Sequence, residues 1–199
     1  MSKNKKTKFS EKYNIKWVFA ITFLTFLLAV FFSIIAENSI NNLGILSSFI
    51  ILLLIIIIGI IFDIIGIAVT RAEEKPFHSM AAKKINEATI AIKLVRNAGQ
   101  VSNFCNDVVG DISGIISGAV GATLVYKLSA TYDLGQFTIL SILITSLTAA
   151  ITVGGKAFGK SIALTHYDII VFRLAKFLNI FEQHLNIKFF KKKKNKKKR

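Results

Sequence analysis

The stretch Leu43–Phe62 reads LGILSSFIILLLIIIIGIIF, twenty residues without a single charge. Wound as an α-helix at 1.5 Å per residue, it is about 30 Å long, the thickness of a bilayer's hydrocarbon core. Of the 199 residues, 53% are hydrophobic, and there is one proline and one cysteine. Soluble domains of this length carry more turn punctuation and shorter apolar runs. The sequence therefore predicts an integral membrane protein. Working outward from Leu43–Phe62, spans are expected at 17–36, 45–70, 102–126 and 135–159. The first has a basic flank, as a signal peptide would. Its apolar run from Trp17 to Ala36 exceeds an ordinary signal core, however, and no A-x-A-like cleavage site follows. A retained helix is expected.

The net charge of +15 is gathered in three places: the stretch 1–16, the 71–101 connection and the C-terminal KFFKKKKNKKKR. Loop 37–44 holds only Glu37, and loop 127–134 sets Lys127 against Asp133. Because Lys and Arg collect on cytoplasmic loops, both termini are expected in the cytoplasm of a multi-pass cell-membrane protein. That topology accounts for the basicity without nucleic acid. One cysteine permits no internal disulfide, and His78, His166 and His184 lack metal-ligand spacing. No serine, cysteine or histidine falls in a nucleophilic arrangement, so an enzyme is not expected, nor an organic cofactor. Cys105 reads as a small packing residue, and the histidines read as interfacial ones.

Between the second and third spans, Ala82, Ile85, Ala88, Ile92 and Val95 recur at three- and four-residue steps, with Lys83, Lys84, Glu87, Lys93 and Arg96 mainly on other faces. This predicts one or two amphipathic helices on the inner membrane surface, opening near Pro76 and closing near Gly99. A second amphipathic helix is expected over 161–188, suited to the headgroup boundary. Beyond it, the polybasic stretch 189–199 is expected to meet anionic lipid.

Three spans carry small and polar stripes. They are Gly59, Asp63, Gly66 and Thr70; Asn103, Asp107, Gly110, Gly114, Ser117 and Gly121; and Ser141, Thr145, Thr148, Thr152, Gly155 and Gly159. Small residues let membrane helices approach closely, so these three form the expected core, and the Phe-rich first span lies at the periphery. Asp63, Asp107, Asp111, Lys156 and Lys160 fall in the cytoplasmic portions of their spans. Ionisable residues there face a bundle interior or a water-filled cavity. Asp107 and Asp111, about 6 Å apart along an α-helix axis, call for a neutralising partner. Lys156 and Lys160 could supply it, or a hard cation such as Mg²⁺ held by carboxylate and amide oxygens.

The run FDIIGIAVTRAEEKPFHSMAAKKINEATIAIKLVRNAGQVSNFCNDVVGDISGIISG, followed by GGKAFGKSIAL, resembles the transmembrane domain of CNNM/CorB/CorC magnesium and cobalt transporters, over roughly residues 45–185. Where that family has Ser-Gly-Ser-Glu, this chain reads Asp63-Ile64-Ile65-Gly66. Its Gly-Asn-x-x-x-Asn is matched by Cys105-Asn106 through Gly110, and its Gly-Glu-x-x-Pro-Lys by Gly155-Lys156-Ala157-Phe158-Gly159-Lys160. The resemblance implies a homodimer, with the core at 45–160 and a cytoplasm-facing cavity for Mg²⁺ or Co²⁺. Asp63, Asn106, Asp107 and Asp111 would stand around the ion, and Lys156, Lys160, Gly110, Thr152 and Gly155 would line the cavity. Lys156, where the family has an acid, opens a second expectation. In that one the chain is a non-transporting scaffold in which an internal salt bridge replaces the ion. The family's paired CBS domains have no counterpart in these 199 residues.

Overall fold

A computed structural model of the chain describes residues 15–42, 44–132 and 137–185. The basic stretch 1–14 and the polybasic 189–199 lie outside the described residues. Among those described, all secondary structure is helical. In chain order the elements are α1 (Ile15–Asn42), α2 (Ile45–Arg71), α3 (Glu74–Ala82), α4 (Asn86–Arg96), α5 (Ala98–Ser102), the π-helix π1 (Asn103–Gly110), α6 (Asp111–Tyr132), α7 (Phe137–Thr165) and α8 (Tyr167–Leu185). Among the described residues, four helical runs are long and apolar enough to cross a membrane: Val18–Asn38, Ile45–Arg71, Ala98–Thr131 and Thr138–Thr165. The protein is thus an all-α membrane protein. Its second run, 27 residues long, extends about 40 Å and so overhangs the hydrocarbon or tilts within it.

Two boundaries differ from the sequence reading. Gly99 does not end the surface helices; Asn97 does. The Asn97 side chain donates to the Lys93 carbonyl at 2.7 Å, and its backbone N–H reaches the Lys93 and Leu94 carbonyls. The side chain thus adds a second donor to a carbonyl of the helix's last turn, and Gly99 lies inside α5, which opens the third run. The fourth span runs on to Thr165 rather than stopping at 159. Only His166 separates it from α8, and backbone hydrogen bonds from His166 to Ile162 and from Ile170 to His166 carry the chain across that break.

The chain divides into two compact units, Met1–Gly59 with Gly110–Val153, and Ile60–Val109 with Gly154–Arg199. In the first, α6 is the most enclosed helix, with Ile112, Ser113, Ile116, Ser117, Val120, Leu124 and Val125 buried. The α1 helix packs on α6 and otherwise presents Phe19, Phe23, Phe26 and Phe31 outward. Such side chains cost nothing against lipid, which is as apolar as they are. The expected peripheral first helix is what the fold displays.

In the second unit the core gathers Ala68, Val69, Phe77, Ile90, Ala91, Leu94, Ala163, Val171 and Ala175. Here α3 and α4 form a hairpin, and α8 packs along α4. The hairpin turns at Lys84, whose φ of 61° is left-handed for a non-glycine residue. Of the expected apolar stripe, Ala88 and Ile92 are buried and Ala82 is exposed. The turn splits the stripe: Ala82 belongs to α3, Ile85 caps the start of α4, and Ala88, Ile92 and Val95 follow on α4. The hairpin is tied by Glu74, whose carboxylate accepts from Arg96 Nε at 2.9 Å and lies 3.0 Å from His78 Nε2. Those two bonds, His78's foremost, hold the Glu74 carboxyl below its ordinary pKa of 4.5.

Candidate functional site

The site residues of the second unit are set by two of the long helices. Asp63 stands eighteen residues into α2 and Lys156 nineteen into α7, about 27 and 28 Å along their axes. Their side chains meet, with Lys156 Nζ at 3.0 Å from Asp63 Oδ2 and side-chain exposures of 27% and 13%. The approach is made possible by glycine. A Cβ at Gly159 would lie 2.8 Å from Ile64 Cγ1, and one at Gly155 would collide with the tip of Ile60. An alanine at either position would force the isoleucine side chains of α2 to shift.

One turn beyond Asp63 on the same face of α2 lies Gly66. The Asn106 amide sits against it so closely that a Cβ at Gly66 would overlap Oδ1 and come within 2.7 Å of Cγ. Asn106 donates through Nδ2 to Ser102 Oγ at 3.2 Å. Its Oδ1 is buried without a hydrogen-bond partner among the described residues. Unpaired buried acceptors are uncommon, and each calls for an explanation in the chemistry of its site. Neighbouring Cys105 is buried and lies within the field of the Asp63 charge.

This placement of Asn106 follows from π1. A π-helix takes i→i+5 hydrogen bonds, winds more residues into each turn than an α-helix, and occurs disproportionately at functional sites. The stripe expected through Asn103, Asp107 and Gly110 assumed α-helical winding. Instead, Ser102 and Gly110 are buried, Asn106 is half-buried, and Asp107 is exposed. The enclosed positions resume on α6 at Ser113, Ser117 and Gly121. Ser102, absent from the sequence-based site, therefore becomes Asn106's partner; their four-residue separation was visible, but not the π winding.

The remaining candidates are placed as follows. Asp107 and Lys160 are exposed in the second unit, where Gly155 is half-buried. Asp111, Gly110 and Thr152 belong to the first unit, exposed, buried and half-buried respectively. Thr152 returns its hydroxyl to the Thr148 carbonyl at 2.8 Å, an intrahelical bond that satisfies it without a ligand. The structure thus joins Asp63 to Lys156 and Asn106 to Gly66 and Ser102.

Compared with protein-family models, curated proteins and solved structures, the chain matches none. The chemistry of the site is therefore read from its own atoms. The site combines a buried carboxylate in contact with an ammonium and, against the next turn of α2, an amide oxygen without a donor among the described residues. Hard divalent ions favour carboxylate and amide oxygens, and the ammonium is already a cation held by one of them.

Proposed function

We propose that the chain binds or moves a divalent cation, Mg²⁺ first and Co²⁺ as the alternative, through a cytoplasm-facing cavity centred on Asp63. The observation that carries this reading is the buried Asn106 Oδ1, without a partner among the described residues and set against Gly66, the residue one helical turn from Asp63 along α2. The resemblance to CNNM/CorB/CorC transporters, a homodimer formed through the glycine-bearing faces, and both termini in the cytoplasm of a cell-membrane protein belong to the same reading. Lys156 then acts as a tethered substitute that occupies Asp63 between ions and must withdraw for one to bind.

The second reading is favoured by the 3.0 Å Asp63–Lys156 pair itself. In it the ammonium is a permanent replacement for the ion, and the protein is a non-transporting scaffold. Partner loss from a buried ion pair costs about 3–5 kcal/mol, and the lower end applies because 27% of Lys156 remains exposed.

Proteoliposomes loaded with a Mg²⁺ indicator separate the two readings. For the cation reading, wild type conducts Mg²⁺ or is thermally stabilised by millimolar Mg²⁺, Asp63→Asn abolishes the response, and Lys156→Met strengthens it. Wild type indifferent to Mg²⁺, combined with a Lys156→Met variant that is destabilised by about 3 kcal/mol and gains no metal response, establishes the scaffold instead.

A further inference from the structure

We propose that the outward face of α8 is a docking surface for an anionic bilayer. The opposite face is committed: Val171 and Ala175 are fully buried, and Tyr167, Ile170, Leu174 and Leu178 pack on the core of the second unit. That leaves a face on which Ile169, Phe177, Ile180 and Phe181 are 41–58% exposed. The Phe177 and Phe181 rings lean on each other with centroids 5.0 Å apart, forming one apolar ridge. Alongside it, Arg173, Lys176 and His184 are exposed. No carboxylate shares this face. Asp168 and Glu182, the two acids of α8, are half-buried, and at 100° per residue they fall on the side of the helix that carries Ala175.

An apolar ridge flanked by basic side chains and no carboxylate is the pattern of a helix lying in the interface of a negatively charged membrane. The occupant follows from connectivity as well as charge. A single residue joins α8 to the fourth span, so the helix starts at the membrane. The following residues 186–199 add nine Lys and Arg and no acid. A second protein copy would present the same positive surface to itself, which charge repulsion disfavours. This proposal needs only the membrane-spanning helices and is independent of any cation at Asp63.

The test uses the full-length protein with Cys105→Ala, Ile180→Cys carrying an environment-sensitive fluorophore, and reconstitution into either phosphatidylcholine alone or phosphatidylcholine with 30% phosphatidylglycerol. The expected result is blue-shifted emission quenched by lipids spin-labelled near the headgroup, stronger in the phosphatidylglycerol vesicles. Arg173→Ala with Lys176→Ala should lower the docked-to-undocked ratio about 30-fold there, taking roughly tenfold for each 1.4 kcal/mol and about 1 kcal/mol per basic residue. Both side chains are exposed, so this variant keeps the packed face intact. Three outcomes would overturn the proposal: a fully aqueous fluorophore in both vesicles, insertion indifferent to lipid charge, or lipid quenching replaced by self-quenching between two labelled copies.

Discussion

At the scale of single residues, Asp63 and Lys156 were legible as charges that needed partners, because no carboxylate survives alone among twenty apolar neighbours. What the sequence left open was which ammonium meets which acid, since that depends on helix register, and Asn106's role was hidden by the π turn. The closest contact in the site yields a test. Alanine at Gly66 must displace the Asn106 amide, whose Cγ would lie 2.7 Å from the new Cβ. Overpacking of this kind costs about 1–3 kcal/mol. Once Asn106 is shortened to alanine, the same substitution should instead stabilise by about 0.5–1 kcal/mol, the ordinary advantage of Ala over Gly inside a helix. A double-mutant cycle on detergent-solubilised protein, read by thermal unfolding, should therefore show Gly66→Ala changing sign with the background. Equal effects in both backgrounds would mean that Asn106 does not occupy the space against α2.

At the scale of elements, all four spans could be read from apolar runs, and the amphipathic periodicity over 71–101 announced surface helices. Their ends were harder, because a cap is a local contest among side chains: Asn97 closed α4, and Gly99 was absorbed into α5. The start of α8 shows how such details shift stability. Asp168 lies in the first turn of α8, where a negative charge ordinarily suits the helix N-terminus. Burial nevertheless raises its pKa above 3.8, with the nearby Glu73 carboxylate adding to the effect. Its Oδ1 has no hydrogen-bond partner among the described residues. A carboxyl whose pKa is raised by folding holds its proton more tightly in the folded state. Stability therefore falls as pH climbs from 3.8 through the raised value and stays reduced above it. Asp168→Asn should accordingly raise the melting temperature at pH 7–8, and the gain should fade as the pH is brought down toward 3.8. A gain independent of pH, or a loss at neutral pH from the forfeited helix-terminal charge, would show that desolvation does not dominate at this carboxyl.

At the scale of the whole molecule, the sequence determines how often the chain crosses the membrane more firmly than it determines what passes through it. Apolar length is a property of each segment alone, whereas a site depends on side chains from separate segments meeting. Topology is therefore where charge counting yields its strongest expectation. The 71–101 connection carries six Lys and Arg, loop 37–44 none, and loop 127–134 one. An asymmetry of this size in short loops orients a multi-pass protein with its basic loops inside. With Cys105→Ala as background, single cysteines at Asn41 and Gln136 should react with a membrane-impermeant maleimide in intact cells. Cysteines at Ala82 and Gln183, both exposed on the surface helices, should react only after permeabilisation. The opposite labelling pattern would place Asp63 and Lys156 in the outer leaflet, and a cavity centred on them would then open away from the cytoplasm. Labelling of Gln136 and Gln183 from the same side would mean that α7 does not cross the bilayer at all, removing the membrane setting in which the Lys156 ammonium must be neutralised.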